Sequence, residues 1–120
     1  MHMLETVRVW SKLDSLKKHE ILSQIYKLTE AETDAYFHLL TEDNVNVNEL
    51  AMALEKDRTT AQRILAKLVN EQLAHRKKIN LANGGIKYIY EAVPFYNIKH
   101  EMIKRLDAWH SLSKTKIYEL

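Results

Sequence analysis

The fold of this chain is decided by the stretch from residue 46 to residue 73, which reads NVNELAMALEKDRTTAQRILAKLVNEQL. Asn46 is suited to cap a helix, and Glu49 stands at the third helical position, which is the spacing of a capping box. Asp57 is placed to cap a second helix over Arg58–Gln72. Because only a short turn separates these two segments, they predict a helix-turn-helix motif.

The second of these helices is amphipathic, with basic and hydrogen-bonding side chains on its outer face. Its inner face holds four apolar residues, Ala61, Ile64, Leu65 and Leu68. The outer face holds Thr59, Gln62, Arg63, Ala66, Lys67 and Asn70. Base edges in the major groove of DNA offer acceptors to Arg and Lys and mixed sites to Asn and Gln. We therefore expect a recognition helix, with Arg58 and Thr60 of its first turn near a phosphate.

A β-hairpin is predicted directly after this helix, over residues 75–92. After Leu73 the helical period gives way to alternation, and the triplet Asn83-Gly84-Gly85 is a strong turn signal because glycine tolerates a positive φ. The return run is rich in β-branched and aromatic residues. As the wing of a winged helix, the hairpin would lie along phosphates or in the minor groove, where its cations act mainly by position. These cations are Arg76, Lys77, Lys78 and Lys87.

Two helices are predicted before the motif. Helix formers without Gly or Pro run from Met3 to about Leu28, with apolar residues at helical spacing. Thr29 and Glu32 then form a capping box, which predicts a helix through about Thr41.

The last predicted helix covers about residues 95–117, because Pro94 stops the strand and suits the first turn of a helix. It carries one apolar stripe, formed by Phe95, Ile98, Met102, Leu106, Trp109 and Leu112. The core of a domain of this size is too small to bury the whole stripe, so we expect the stripe to pair with a second subunit. Folding back onto the N-terminal helix of the same chain is the alternative. A dimer would place two recognition helices about 34 Å apart on a pseudo-palindromic site.

Together these elements predict a mainly α fold with a β-hairpin. The 120 residues are expected to form a single winged helix-turn-helix domain over residues 1–120. Its core would span about residues 22–93, with N- and C-terminal dimerisation helices on either side.

The charge is concentrated in one quarter of the chain. Residues 1–55 hold five Lys/Arg against ten Asp/Glu, and residues 88–120 hold five against four. Residues 56–87, in contrast, hold eight Lys/Arg against two Asp/Glu. Such clustering is expected of a phosphate-binding surface, although a solvated Lys-rich face would have the same charge pattern.

The composition narrows the function classes. The chain has no Cys, which excludes disulfides, thiolate zinc sites and cysteine nucleophiles. None of the six His has a partner at metal-binding spacing, and no phosphate loop or nucleophile elbow occurs, so no metal, cofactor or enzymatic activity is expected. No apolar run is long enough to span a bilayer. Glu5 and Arg8 interrupt the first apolar stretch, so no signal peptide is expected and a cytoplasmic location is the default.

Several motifs in this order resemble a known group of regulators. VNELAMAL at Val47–Leu54 and DRTTAQRILAKL at Asp57–Leu68, followed by a basic strand, resemble the winged-helix domains of archaeal TrmB-like and bacterial MarR-like transcriptional regulators. LTEAE at Leu28–Glu32 resembles the first helix of the TrmB-like group, and KYIY at Lys87–Tyr90 resembles the end of the same domains. The resemblance covers about residues 25–112. It implies a DNA-binding dimer, but not sugar sensing, because the sugar-binding domain of full-length TrmB regulators is not among these residues.

The expected function is therefore that of a sequence-specific regulator that binds double-stranded DNA as a homodimer. A winged-helix module for protein assembly, or a chromatin-like DNA binder of low specificity, would also fit the pattern. A small-molecule effector could sit between the terminal helices and the winged core, but no polar constellation marks a pocket for one.

Overall fold

The computed structural model describes residues 18–120. The first predicted helix is therefore seen only from Lys18, and its expected start at Met3 lies outside the described residues. The order of elements is α1 Lys18–Tyr26, α2 Glu30–Thr41, α3 Val47–Leu54, α4 Arg58–Asn70, β1 Ala74–Asn80, β2 Ile86–Ala92 and α5 Phe95–Tyr118. This is a winged helix-turn-helix, as predicted.

Both predicted capping boxes are present. At the start of α2 the Thr29 hydroxyl accepts from the Glu32 amide at 3.1 Å, and the Glu32 carboxylate accepts from the Thr29 amide at 2.8 Å. At the start of α3 the same exchange joins Asn46 and Glu49 at 2.8 and 3.3 Å. These bonds satisfy backbone donors that an isolated helix end leaves without a partner, so they determine where each helix begins.

The core lies where α2, α3 and α4 pack together, with α1 and the base of the hairpin against them. The apolar positions predicted for α4 point inward, which leaves the opposite side of that helix to the solvent. The largest fully buried side chains are Leu22, Tyr36, Val45, Leu50, Leu65, Leu68 and Leu73.

The hairpin forms the wing. Its strands pair antiparallel without a bulge, from Ala74 opposite Ala92 to Asn80 opposite Ile86. At the turn, Gly84 adopts a φ of +86°, a conformation that glycine takes without steric cost. The predicted hairpin is thus confirmed, and its ends agree to within one residue.

Backbone bonds and one phenol attach the wing to the helices. Val45, in the loop before α3, exchanges backbone hydrogen bonds of 2.8 and 3.0 Å with Tyr90 of β2. The buried Tyr36 hydroxyl of α2 donates to the Val93 carbonyl at 2.8 Å, and the Val93 amide donates to the Leu73 carbonyl at 2.9 Å. The base of the wing is therefore held to the helical core, while its tip projects.

The last helix, α5, packs on the body with its first part only. Ile98 is 3 % exposed and Met102 is 7 % exposed, and Phe95 packs against the same core. The expectation that Ile98 and Met102 pair with a second subunit is wrong, because the chain's own core covers them, whereas Phe95 is only partly covered. Leu106, Trp109 and Leu112 remain exposed on the projecting end of a molecule that is 68 Å long.

Among residues 18–120, none of the helices combines the length and the apolar composition of a membrane span. In the same range, no group of three or more His, Asp or Glu side chains is arranged to hold a metal ion.

Candidate nucleic-acid interface

The outer face of α4 carries most of the predicted DNA-contacting residues. Thr59, Gln62, Arg63 and Asn70 are exposed, while the inner face of the same helix is buried. On a helix of 3.6 residues per turn, Arg63 and Asn70 lie directly opposite the buried side. This face meets the geometric need of a recognition helix, whose exposed side chains must reach base edges.

A cleft of about 440 Å³ separates the first turns of α4 from the wing. Arg58 and Gln62 line it from α4, and Arg76, Lys87 and Tyr88 line it from the hairpin. The fold therefore brings together on one surface two cationic side chains, Arg58 and Arg76, that are 18 positions apart in sequence. Positive charge on the walls of a cleft concentrates the field that attracts a phosphate backbone.

The two faces of the wing differ in charge. Residues directly opposite each other in an antiparallel pair share a face, so Arg76 and Lys78 lie with Tyr90 and Tyr88. The Arg76 guanidinium stacks over the Tyr88 ring at 4.6 Å from its centroid. Stacking of this kind restrains the guanidinium without neutralising its charge.

Lys77, in contrast, lies on the other face of the wing, opposite Ile89. Its ammonium group bonds to the Glu91 carboxylate at 3.0 Å. The sequence predicts the same role for Lys77 as for Arg76 and Lys78, but the ion pair with Glu91 offsets the charge of Lys77.

Lys67 and Thr60 occupy the flank of α4 away from the wing, and both are only partly exposed. The Lys67 ammonium group bonds to the Glu71 carboxylate at 3.3 Å, and Glu71 also pairs with Arg105 of α5 at 3.7 Å. Neither Lys67 nor Thr60 lines the cleft. Contact of Lys67 and Thr60 with DNA stays a prediction, and in this structure Lys67 is part of an ion-pair network with α5.

The first turn of α4 is capped by the chain itself. The Asp57 carboxylate accepts a hydrogen bond from the Thr60 amide at 2.6 Å. Hydrogen bonds from the backbone and side chain of Thr60 hold the pKa of Asp57 below its ordinary value, and Arg63 and Lys56 lower it further. The Thr60 amide is therefore engaged, and it is not free to bind a phosphate as the sequence suggested.

Tyr88 and Asn48 belong to this surface, but the sequence did not predict them as contact residues. Tyr88, the stacking partner of Arg76, could have been found only from the strand register, because it is twelve positions away. Asn48 of α3 lines the cleft, and nothing in its local sequence separates it from an ordinary surface residue. The Lys67–Glu71 pair had a signal, since residues four apart on a helix are neighbours.

Comparison with known proteins gives the family. The family model described as "Sugar-specific transcriptional regulator TrmB" matches residues 22–96. Two uncharacterized proteins of Methanocaldococcus jannaschii are similar over most of the chain. One is 35 % identical over 101 residues, covering 82 % of this chain and 83 % of that protein. The other is 30 % identical over 100 residues, covering 83 % and 76 %.

Solved structures agree with this assignment. A possible transcriptional regulator from Methanosarcina mazei aligns with a TM-score of 0.75 at 25 % identity, over 87 % of this chain and 88 % of that one. The Staphylococcus aureus MepR–DNA complex aligns with a TM-score of 0.53 at 17 % identity over all of both chains, a likeness that shows the fold alone. The chain belongs to the TrmB family of transcriptional regulators, and this confirms the predicted class: a regulator and not an enzyme.

Proposed function

Because the chain belongs to the TrmB family, we propose that it binds double-stranded DNA as a homodimer, with α4 in the major groove and the wing on the adjacent backbone or minor groove. The observation that carries this proposal is the cleft between α4 and the wing. Arg58 and Gln62 from one side and Arg76 and Tyr88 from the other face a single exposed space there.

The charges on this surface support binding to phosphate. Arg58, Arg63, Arg76, Lys78 and Lys87 form no salt bridge within the described part of the chain, so none of these side chains is held in an ion pair there. With Arg63 directed at a base, four cations of each subunit remain for the backbone. A dimer would then neutralise about eight phosphates, which gives a slope of roughly −7 in a plot of log K against log salt concentration.

The exposed C-terminal half of α5 supports the proposal of a dimer. Leu106, Trp109 and Leu112 continue the stripe of Ile98 and Met102 along one face of the helix. The body covers the first part of this stripe, whereas Trp109 is 68 % exposed. An exposed apolar stripe in line with a covered one is typical of a helix that pairs with a second helix. The α5 helix of a second copy would cover the exposed part of the stripe, and the α4 helix of that copy would be the second recognition helix.

Selection of bound duplexes from a random library tests the proposal. We expect binding that weakens steeply with salt, and selected sequences with two-fold related half-sites about 10 base pairs apart. If the protein binds no duplex in a gel mobility-shift assay at low salt, the proposal is wrong. Equal affinity for selected and random duplexes would instead indicate a chromatin-like binder. Stoichiometric co-purification of a protein, without affinity for DNA, would indicate an assembly module.

A further inference from the structure

We infer that Glu71 limits the sequence-independent affinity of this chain for DNA, by holding Lys67 in an ion pair on the flank of α4. The inference rests on the proposed function, since it assigns a role in DNA binding to a residue outside the cleft. It makes Glu71 a determinant of total affinity: the recognition helix carries a cation whose charge is offset while the pair is formed.

The Glu71 carboxylate lies between two cations, Lys67 on α4 and Arg105 on α5. One carboxylate oxygen bonds to the Lys67 ammonium group at 3.3 Å, and the second lies 3.7 Å from the Arg105 guanidinium. Arg105 itself stacks on the ring of Tyr26 at 4.0 Å. Tyr26 is buried, so Arg105 has a fixed platform, and through it Glu71 has a fixed partner on α5.

Lys67 is well placed to reach DNA when it is released. It follows Arg63 by four residues, which places it about one helical turn, or 5.4 Å, further along α4. It belongs to the flank next to the outer face, and its four-carbon stem can turn toward that face. A lysine so close to base-reading residues would add a phosphate contact that does not depend on sequence.

The pair therefore lowers the affinity for specific and random duplexes alike and leaves the ratio between the two unchanged. A phosphate contact strengthens binding to every duplex alike, and it adds nothing to the discrimination between the correct site and the rest of the genome. Offsetting the charge of Lys67 lowers affinity for random DNA, while Arg63, Gln62 and Asn70 remain free to read bases.

Glu71→Gln tests this inference, because it removes the charge but keeps the side-chain shape and the backbone bond from the residue-71 amide to the Lys67 carbonyl. Affinity for a random-sequence duplex is expected to rise about two- to fivefold, the range for releasing one partly exposed ion pair. The salt slope is expected to steepen by about 0.9 for each subunit. Selectivity for the best selected site over random DNA should stay unchanged, because the released cation strengthens binding to both duplexes.

The matched control is the double variant Glu71→Gln, Lys67→Gln, compared with Lys67→Gln alone. If Lys67 carries the effect, the Glu71 change produces no gain in the background that lacks the lysine. An equal gain in both backgrounds would mean a general effect of removing a negative charge, and it would overturn the inference. Absence of any gain in the single variant would overturn it as well.

A second comparison leaves Glu71 unchanged, so it tests the inference even if the Glu71→Gln variant folds poorly. In the wild-type background Lys67→Gln should leave affinity for random DNA nearly unchanged, whereas Lys78→Gln should lower it. A loss at Lys67 equal to that at Lys78 would contradict the inference. If wild-type protein binds no duplex, the proposed function and the inference fail together; if it binds and only these comparisons fail, the inference alone is wrong.

Discussion

At the scale of single residues, the cations of this surface differ in how much of their charge is available. Arg76 stacks on an aromatic ring, while its sequence neighbour Lys77 is paired with a carboxylate at 3.0 Å. Arg63 stands on the outer face of α4 without an ion-pair partner among residues 18–120. These surroundings lead to different expectations for each side chain.

Replacement of Arg63 by Ala should relax sequence specificity. If Arg63 bonds to a base edge, the loss at the preferred site is about 1–3 kcal/mol, with little change on random DNA. Binding titrations on selected and random duplexes measure both quantities. Lys78→Ala is the comparison, because a phosphate contact should weaken both duplexes equally, and Lys77→Ala should have a smaller effect since Glu91 offsets its charge. A uniform loss for Arg63→Ala would assign that residue to the backbone.

Tyr88 should act by restraining Arg76. Tyr88→Ala removes the ring, so the guanidinium becomes free to rotate, and DNA affinity should fall nearly as far as in Arg76→Ala. Tyr88→Phe keeps the ring and should retain most of the affinity. Titrations of the three variants on one selected duplex test this; an equal loss for Phe and Ala would mean that the phenol hydroxyl, and not the stack, is what matters.

At the scale of elements, the wing and the helices are joined by few bonds, and the phenol of Tyr36 makes one of them. Burial raises the pKa of Tyr36 well above its ordinary value of 10.0, so the hydroxyl stays protonated and can donate to the Val93 carbonyl. Tyr36→Phe leaves that carbonyl without this donor and should cost about 1 kcal/mol of unfolding free energy. Denaturant titration measures the cost, and an unchanged midpoint would show that the bond contributes nothing.

The cap of α4 should make stability depend on acidity. Hydrogen bonding to Thr60 lowers the pKa of Asp57 in the folded state. The stabilisation is therefore complete above the ordinary value of 3.8, and it is lost as the pH falls through the lowered pKa. Asp57→Asn keeps a capping oxygen that does not titrate. The melting temperatures of the wild type and of Asp57→Asn should differ at neutral pH and converge as the pH falls through the lowered pKa of Asp57. A difference that stays constant with pH would contradict the role of the Asp57 carboxylate as a cap.

At the scale of the whole molecule, the projecting half of α5 determines the oligomeric state that we propose. Trp109→Ala should convert the dimer to a monomer or weaken it strongly, because aromatic side chains in the centre of an interface carry much of the binding energy. Tyr96→Ala is the matched control: Tyr96 is also aromatic, is 69 % exposed and lies on a different face of the same helix. Sedimentation over a range of concentrations distinguishes the two variants. A monomeric wild type, or equal effects of both substitutions, would contradict the dimer.

Local sequence patterns were enough to predict the order of the elements in residues 18–120 and the start of α2, α3 and α4. Capping at Thr29, Asn46 and Asp57, and the glycine turn at Gly84, depend on residues within a few positions of each other, so local spacing was enough to predict them. The helical period likewise identified the inner and outer faces of α4, because burial follows that period.

The tertiary structure alone decided which charges are available and which apolar residues are covered. Arg105 pairs with Glu71, and Arg76 stacks on Tyr88. The partners in each contact are distant in sequence, so no local pattern encodes these contacts. The stripe of α5 looks continuous in the sequence, yet the body covers it through Met102 and leaves Trp109 bare. The physical reason is that periodicity reports which face of a helix is apolar, whereas the packing of other elements determines how far along the helix that face is buried.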